Sequence, residues 1–140
     1  MAEIAQAFQW AVTLMQADSA LVAASTGGIW QGFADSGTPG PYTLITAQTP
    51  GVDTLTMNAK RLFSRGVLQI KAVGPTSGYA ALVIIANRID AIFGRTGPAG
   101  LSVGGVLDSY REQQVAYEEL VNGASWSHVG GLYHIDLQGS

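Results

Sequence analysis

Residues 100–104, GLSVG, match the G-x-S-x-G pattern that positions the nucleophile of many serine hydrolases. Asp108 and His128 follow Ser102 in the chain order that those enzymes use for their catalytic acid and base. The chemistry requires the serine on a sharp turn between a buried strand and a helix. Here the segment follows a predicted helix and leads into a predicted strand. We therefore predict a flexible or interface loop at residues 95–105 rather than a nucleophile.

The two histidines are the next candidates, as metal ligands. His128 and His134 are six residues apart on one predicted strand, so they share a face but lie roughly 20 Å apart. Asp136 is close enough to be a neighbour of His134, but two ligands do not make a zinc site. The absence of cysteine excludes disulfides, iron–sulfur clusters and thiolate zinc sites. We predict no metal, no cofactor, and two histidines exposed on the sheet.

The remaining charged residues do not form a recognisable reaction centre. Glu118 and Glu119 would point to opposite faces of a strand, which argues against acid–base pairing. The sequence contains neither a GxxxxGK[ST] loop nor a GxGxxG followed by a helix, so phosphate binding is unsupported. Arg61, Arg65 and Lys71 lie along one predicted strand. With only 7 Lys and Arg residues in the chain, we predict that they form salt bridges across the sheet or a subunit contact rather than bind nucleic acid.

The composition indicates one domain, residues 1–140, that oligomerises. A hydrophobic content of 47% is sufficient for a core, whereas charged residues make up 12%, about half the usual share. The low charge predicts that a second subunit covers part of the surface, although a poorly soluble isolated domain would have the same composition. The net charge of −3 argues against broad phosphate binding. The N-terminal segment lacks the basic start of a signal peptide, and the longest apolar run is far shorter than the ~20 residues a bilayer requires.

Three segments have helical patterns. Residues 3–16 carry apolar side chains at spacings of three or four, and residues 78–93 show a wider apolar face. Residues 20–24 form a shorter candidate helix. The side chains predicted to cap the second and third helices are Asp18 or Ser19, and Thr76 or Ser77, respectively.

Four segments have strand patterns and follow one another through hairpin-like connections. These predicted strands are residues 42–48, 61–73, 106–117 and 128–137, the last two joined by a turn at Asn122–Gly123. In the second of them Leu68, Ile70 and Ala72 share one face, as in a sheet with one buried side. Residues 49–59 are predicted to be a loop. Because the strands do not alternate with helices, we predict an α+β fold, with an antiparallel sheet and two main helices packed on one face.

Residues 27–42, GGIWQGFADSGTPGPY, place two large aromatic side chains beside a segment that cannot be helical. Pro39 and Pro41 hold the chain extended, because each fixes φ and restricts the residue before it. We predict that Trp30 anchors the base of this loop on the core. Phe33 is predicted either to pack within its own domain or to meet a neighbouring subunit. Loops of this length are usually functional or disordered.

The order and spacing of these segments resemble the tail-terminator, or tail-completion, family of long-tailed bacteriophages. The resemblance covers residues 18 to 138 and rests on the small-residue helix and polar loop, on the long strand that runs directly into a helix, and on the two final strands. The stretches are ADSALVAASTGGIWQGFADSGTPGPYTLI, RLFSRGVLQIKAVGPTSGYAALVIIANRIDAIF, YREQQVAYEE and SWSHVGGLYHIDL. The long glycine-rich connection at residues 94–105 and the loop at residues 49–60 depart from the family pattern.

The resemblance implies a structural protein and not an enzyme. Family members form hexameric rings that cap the finished tail tube, stop its polymerisation and present a surface to the head-side neck or connector protein. The implied location is the tail/neck junction of the virion, with assembly in the host cytoplasm. No membrane, no cofactor and no sequence-specific nucleic acid is implied, although DNA can pass through the lumen of such a ring.

Two alternatives stay open. The sequence does not exclude a head-completion protein, a neck-ring connector protein or a tube subunit. A protein of another class, a small-ligand-binding or enzymatic α+β domain, would be a monomer or dimer with a deep pocket lined by polar groups.

The predicted contact segments are residues 35–41, 50–59 and 97–105, because their composition favours exposed loops that can reorder on binding. The candidate assembly-interface residues are Phe33, Asp35, Thr38, Pro39, Val52, Asp53, Leu55, Met57, Arg65, Lys71, Leu101 and Val103.

Overall fold

The computed structural model describes residues 2–35, 37–47, 52–55, 61–94 and 106–138. Its helices are α1 (Ala2–Ala17), α2 (Ser19–Ala24) and α3 (Tyr79–Phe93), the last preceded by a 3₁₀ turn at Thr76–Gly78. Its strands are β1 (Ile29–Gln31), β2 (Tyr42–Ala47), β3 (Val52–Leu55), β4 (Arg61–Pro75), β5 (Val106–Val121) and β6 (Ala124–Gln138).

The strands form one sheet in the order β1-β2-β4-β6-β5, with β3 also paired to β4. All of these pairs are antiparallel except β1 with β2, which run parallel. The predicted α+β class is therefore confirmed, with a mixed rather than a wholly antiparallel sheet. The long strands β4 and β6 pair from Phe63 with Gln138 to Pro75 with Trp126, and this ladder forms the centre of the molecule.

The core lies between the helices and one face of the sheet. Among the described residues, α1 contributes Trp10 and Met15, and the sheet contributes Ile70 and Tyr133, all fully or almost fully buried. The Phe93 ring lies at the centre of this layer, with its centroid 5.5 Å from that of Trp10 and 5.9 Å from that of Tyr133. The apolar stripes that predicted α1 and α3 are thus the surfaces that close the core.

The sequence-based assignment was wrong at three places. Val52–Leu55, predicted as loop, is a strand, because β4 offers an adjacent antiparallel edge to residues with good strand propensity. Ile29–Gln31 is a strand that was not predicted, since glycines flank it and three residues give no measurable alternation. Neither Thr76 nor Ser77 caps α3: Gly78 occupies the cap position without a side-chain hydrogen bond, because residues 76–78 form the 3₁₀ turn.

The predicted cap of α2 is confirmed and has a second partner. The Asp18 carboxylate accepts a hydrogen bond from the backbone N–H of Leu21 at 2.9 Å. The same carboxylate receives the Arg88 side chain of α3, with Nε 2.9 Å from each carboxylate oxygen and Nη2 also in contact. One aspartate therefore both starts α2 and fastens it to α3.

Asp18→Ala is expected to lower the free energy of unfolding by about 1–2 kcal/mol, the cost of a lost helix cap. The Arg88 guanidinium holds the pKa of Asp18 below its ordinary value of 3.8. The stabilisation from the ionised form is therefore present above that value and is lost as pH falls through the lowered pKa. Urea unfolding at neutral and acidic pH measures both effects. Asp35→Ala, at an exposed position, is the control; an equal change in the two variants would contradict the assignment.

None of the helices in the described part of the chain has the length and apolar content needed to cross a bilayer.

Candidate functional site on the outer sheet face

The sheet has a second face, directed away from the helices, which we call the outer face. On β4, Lys71 and Val73 alternate with the core residues Ile70 and Ala72 and therefore lie on the outer face. Their cross-strand partners on β6 are Gly130 and His128. Side chains of β4, β5 and β6 meet on this face.

Two tyrosine–histidine pairs dominate the outer face. Tyr117 of β5 stacks on His128 of β6 with ring centroids 4.3 Å apart and an interplanar angle of 11°. Tyr110 stacks on His134 with a distance of 4.7 Å and an angle of 18°. In both pairs the histidine Nε2 contacts a carboxylate oxygen, of Glu119 at 2.6 Å for His128 and of Asp136 at 3.0 Å for His134. The outer face thus repeats one arrangement of tyrosine, imidazole and carboxylate.

A β-bulge makes this repetition possible. Tyr110 and Tyr117 are seven residues apart, and in a regular strand an odd separation would place them on opposite faces. The pairing of β5 with β6 shifts between Arg111 and Gln113, leaving Glu112 as an extra residue. That extra residue shifts the alternation of side chains by one position, so both tyrosines lie on the outer face, directly opposite the histidines.

Lys71 completes the first pair. Its Nζ donates a hydrogen bond to the Tyr117 hydroxyl at 2.5 Å and lies 5.0 Å from the centroid of the Tyr117 ring. The lysine is only 6% exposed. Gly130 makes the close approach of β6 possible here, since a Cβ at Gly130 would lie 2.5 Å from Lys71 Cα. The buried ammonium of Lys71 on β4, the phenol of Tyr117 on β5 and the imidazole of His128 on β6 are therefore held in one row.

His128 has an unusual environment for a histidine. It is 6% exposed, and its Nδ1 has no hydrogen-bond partner among the described residues. Burial lowers the pKa of His128, and the nearby Lys71 charge lowers it further, while the hydrogen bond and charge of Glu119 act in the opposite direction. The neutral imidazole is the favoured form in the folded protein.

The folded protein is expected to lose stability as pH falls below about 6.5, the ordinary pKa of histidine. Near pH 6.5 the histidine of the unfolded chain binds a proton, whereas His128 in the folded protein binds one only at lower pH. The free energy of unfolding therefore has its full value above pH 6.5 and declines as the pH falls below 6.5. Urea unfolding at intervals between about pH 5 and 7.5 measures this slope. His128→Phe keeps a ring for Tyr117 to stack on and removes the titrating group. If the free energy of unfolding of this variant falls with pH as steeply as that of the parent, the assignment of the pH dependence to His128 is contradicted.

The segment between β1 and β2 passes over one end of the outer face. The backbone N–H of Gly27 donates to the Pro41 carbonyl at 2.8 Å, and a Cβ at Gly40 would lie 2.8 Å from Gly74 Cα. The Tyr42 and Trp126 rings meet beneath the segment, with centroids 6.3 Å apart. The proline-rich end of this loop is therefore packed against its own sheet.

An open cavity of about 400 Å³ separates the loop from the β5–β6 hairpin. Asp35, Thr38 and Pro39 line it from the loop, and Glu119 and Trp126 line it from the sheet. Burial raises the pKa of Tyr42, also at this cavity, and the Glu119 charge raises it further. The cavity is acidic and aromatic, and its loop side consists of residues predicted to contact other subunits.

The predicted interface residues differ in exposure and in the elements to which they belong. Phe33 is 78% exposed, while Asp35 and Pro39 are exposed and Thr38 is half-buried. Val52, Asp53 and Leu55 belong to β3. Arg65 forms an ion pair with Asp136 directly across the sheet, with Nε 3.4 Å from Oδ1, as the predicted cross-sheet salt bridges require. Met57, Leu101 and Val103 lie outside the described residues.

Other predictions for this face need correction. His128 is buried and His134 is half-buried, so the prediction that both are exposed was wrong. Lys71 bonds a tyrosine hydroxyl rather than a carboxylate. Trp30 is half-buried on the outer face opposite Leu44, and it holds the loop base through a hydrogen bond from Nε1 to the Gly27 carbonyl at 2.8 Å rather than through the core.

Sequence reasoning missed the tyrosines of the two pairs. An alternation analysis assigns Tyr110 and Tyr117 to opposite faces, because the bulge leaves no signal in the residue types.

Three outcomes bear on catalysis and metals. Glu118 and Glu119 do fall on opposite faces, since their cross-strand partners are Ser127 and Trp126. Ser102 lies outside the described residues, and the described ones contain no group of three or more acidic or histidine side chains placed to hold a metal ion.

No family model and no curated protein matches the sequence. Among solved structures, the fold is similar to a chain in the virion of a native gene transfer agent particle, with a TM-score of 0.66, 10% identity and coverage of 92% of each chain. A second solved structure matches with a TM-score of 0.50 and 17% identity over 94% of this chain and 96% of that chain. At these identities the likeness shows that the fold is shared.

Proposed function

We propose that the protein is a structural component of a phage-like virion, specifically a tail terminator. Six copies form a ring that caps the tail tube, stops its polymerisation and provides the surface that joins the tail to the head-side neck. The observation that carries the proposal is the fold likeness to a gene transfer agent virion chain over 92% of both chains. The order of sequence segments, which resembles the tail-terminator family, supports the same role.

The distribution of polar and apolar side chains suits assembly better than catalysis. The reactive groups of the described outer face are engaged with one another: His128 with Glu119, His134 with Asp136, and Lys71 with Tyr117. Large apolar side chains are exposed instead, among them Phe33, Tyr79, Ile84 and Leu120. Covering such side chains in a ring removes apolar surface from water on every subunit.

We assign the first contacts to the loop that carries Phe33, Asp35, Thr38 and Pro39. Its proline-rich end is fastened to the sheet, whereas the Phe33 side chain extends into solvent. A fastened loop with an exposed aromatic residue can dock without a large loss of backbone entropy. The contacts proposed for residues 50–59 and 97–105 rest on their composition, which favours segments that can reorder on binding. Arg65 remains a proposed contact residue. Lys71 is buried within its own sheet and supports the outer face rather than touching a partner.

A second candidate from the same class is a head-completion or neck-ring protein. The likeness to a chain of a gene transfer agent virion supports this role equally, because the likeness is to a virion chain and not to a tail chain in particular. A small-ligand-binding or enzymatic domain is the candidate from another class, and it predicts a monomer or dimer that retains a small molecule.

Light scattering over a dilution series tests the ring. The expected mass is about six times the 14.6 kDa of one chain at high concentration, or on addition of tail tubes if the tube templates the ring. Mixing with purified tail tubes and with portal complexes separates the two virion roles. Binding at tube ends supports the terminator, and binding only to portals supports the neck protein. A monomer that binds neither would contradict both.

A further inference from the structure

We infer that the tip of the β5–β6 hairpin of one copy docks in a hollow between helices α2 and α3 of a second copy. This inference rests on the proposed ring and names the surfaces that would form its repeating contact. It derives from two exposed apolar surfaces on different parts of the chain, one convex and one concave.

The convex surface is the hairpin tip. The last pair between β4 and β6 is Pro75 with Trp126, so residues 120–125 extend past β4 as a two-stranded ribbon. The turn at Asn122–Gly123 has positive φ at both residues, 51° and 80°, as in a tight hairpin turn. Leu120, on this ribbon, is 78% exposed. The 3₁₀ turn contacts this ribbon through the Thr76 and Ser125 hydroxyls, whose oxygens are 2.8 Å apart, and Leu120 itself stays exposed.

The hairpin tip is also acidic. Glu118 and Glu119 precede Leu120 directly, and Val121 follows it as a second exposed apolar residue. The tip therefore presents Leu120 with Glu118 on one face and Val121 with Glu119 on the other. No arginine or lysine lies between residues 112 and 138. Glu119 already contacts His128 at 2.6 Å, so the exposed carboxylate that shares a face with Leu120 is that of Glu118.

The concave surface is on the helix layer, away from the sheet. A hollow of about 330 Å³ is lined by Ala20 of α2 and by Ile84, Asn87, Arg88 and Ala91 of α3. Ile84 is 62% exposed, and the two alanines of the lining are exposed as well. The hollow is larger than one leucine side chain and is mostly apolar.

Arg88 supplies the matching charge at the hollow. Its side chain remains partly exposed while Nε and Nη2 hold Asp18. The guanidinium has further N–H donors on Nη1. An apolar hollow with a cation at its margin complements Leu120 and the Glu118 carboxylate on the same face of the hairpin, both in shape and in charge.

The geometry requires a second copy. The hairpin and the helix layer belong to different surfaces of one chain, so their contact can repeat from copy to copy, whereas a two-fold dimer would make the same contact reciprocally and stop at two chains. A rotation that closes after a fixed number of copies gives a ring. Contact between two identical hairpin tips would instead bring the carboxylates of both copies together, which is unfavourable.

The absence of native cysteine allows a direct test. Leu120→Cys and Ile84→Cys, each at an exposed position, are mixed and treated with a short bismaleimide. The expected result is a covalent dimer in the mixture and little in either variant alone. The double variant L120C/I84C should give a ladder on denaturing gels that ends at six chains. Thr13→Cys, exposed on α1, replaces Ile84→Cys as the matched control and should give no product with Leu120→Cys.

A second variant measures the energetic role of the tip. Leu120→Asp is expected to keep the circular dichroism spectrum of the parent and to lower the scattering mass to that of one chain, 14.6 kDa, where the parent is assembled. A ring that gives no L120C–I84C product and tolerates Leu120→Asp overturns the inference and leaves the proposed function standing. A ladder that stops at two chains supports the contact and contradicts the ring. A parent that stays monomeric and gives no product overturns both.

Discussion

Phe93→Ala is expected to lower the free energy of unfolding by about 3–5 kcal/mol, the usual cost of removing a buried aromatic ring. Phe93 is fully buried and ends α3. Its ring lies between Trp10 of α1 and Tyr133 of β6, so its removal leaves a cavity where two helices and the sheet meet. Urea unfolding monitored by circular dichroism measures the loss.

Phe33→Ala is the matched control, because it removes the same ring from an exposed position. Its expected effect on unfolding is within about 0.5 kcal/mol, as for surface substitutions generally. If Phe33 contacts a neighbouring subunit as proposed, this variant weakens assembly without weakening the fold, whereas Phe93→Ala does the reverse. Similar unfolding energies for the two variants would contradict the assignment of Phe93 to the core.

The second large effect is expected at Gly130, where one methyl group should destabilise the protein by more than about 3 kcal/mol. A Cβ there would lie 2.5 Å from Lys71 Cα and 2.7 Å from Lys71 Cβ, and closer still to the Ile70 carbonyl oxygen. These atoms belong to the central β4–β6 ladder, which cannot move aside without breaking its register. Gly130→Ala should therefore unfold at lower urea concentration or fail to fold.

Gly78→Ala provides the comparison for Gly130→Ala. Gly78 has negative φ, −102°, and a Cβ there would meet no atom within 4 Å. Exchange of glycine for alanine at a helix cap costs little, so the expected change is within about 1 kcal/mol. Because both variants add the same methyl group, the difference between them isolates the clash with β4. Equal stability of the two would show that β6 can shift relative to β4.

The parts of the fold that could be predicted are helices with an apolar pattern over more than two turns and strands with alternation over more than four residues. The apolar spacing in α1 and α3 identified the buried faces, and alternation in β4 placed Leu68, Ile70 and Ala72 in the core. The Asn122–Gly123 turn was predicted from residue type because both positions require positive φ. Elements that rely on a neighbour, such as β1 and β3, were missed, since their pairing energy comes from β2 and β4 rather than from their own sequences.

The candidate site was less predictable than the fold. The side chains that meet at Tyr117 come from β4, β5 and β6, and their alignment depends on the register of two ladders and on one bulge. Sequence identified His128, Lys71 and Glu119 as separate charged positions and assigned them to solvent or to salt bridges. Only the stacked geometry shows that the tyrosine covers the imidazole and that the lysine reaches the tyrosine hydroxyl.

The burial of Lys71 has a practical consequence for chemical labelling. The chain contains only two lysines, Lys60 and Lys71. An acylating reagent that modifies exposed primary amines cannot reach Lys71 while β5 covers it, because its Nζ is held by Tyr117 beneath the surface. Acylation of Lys71, read by mass spectrometry of the peptide that contains it, therefore reports displacement of the Tyr117 side chain from Lys71. The protein carries its own probe of that displacement, without any introduced dye or isotope.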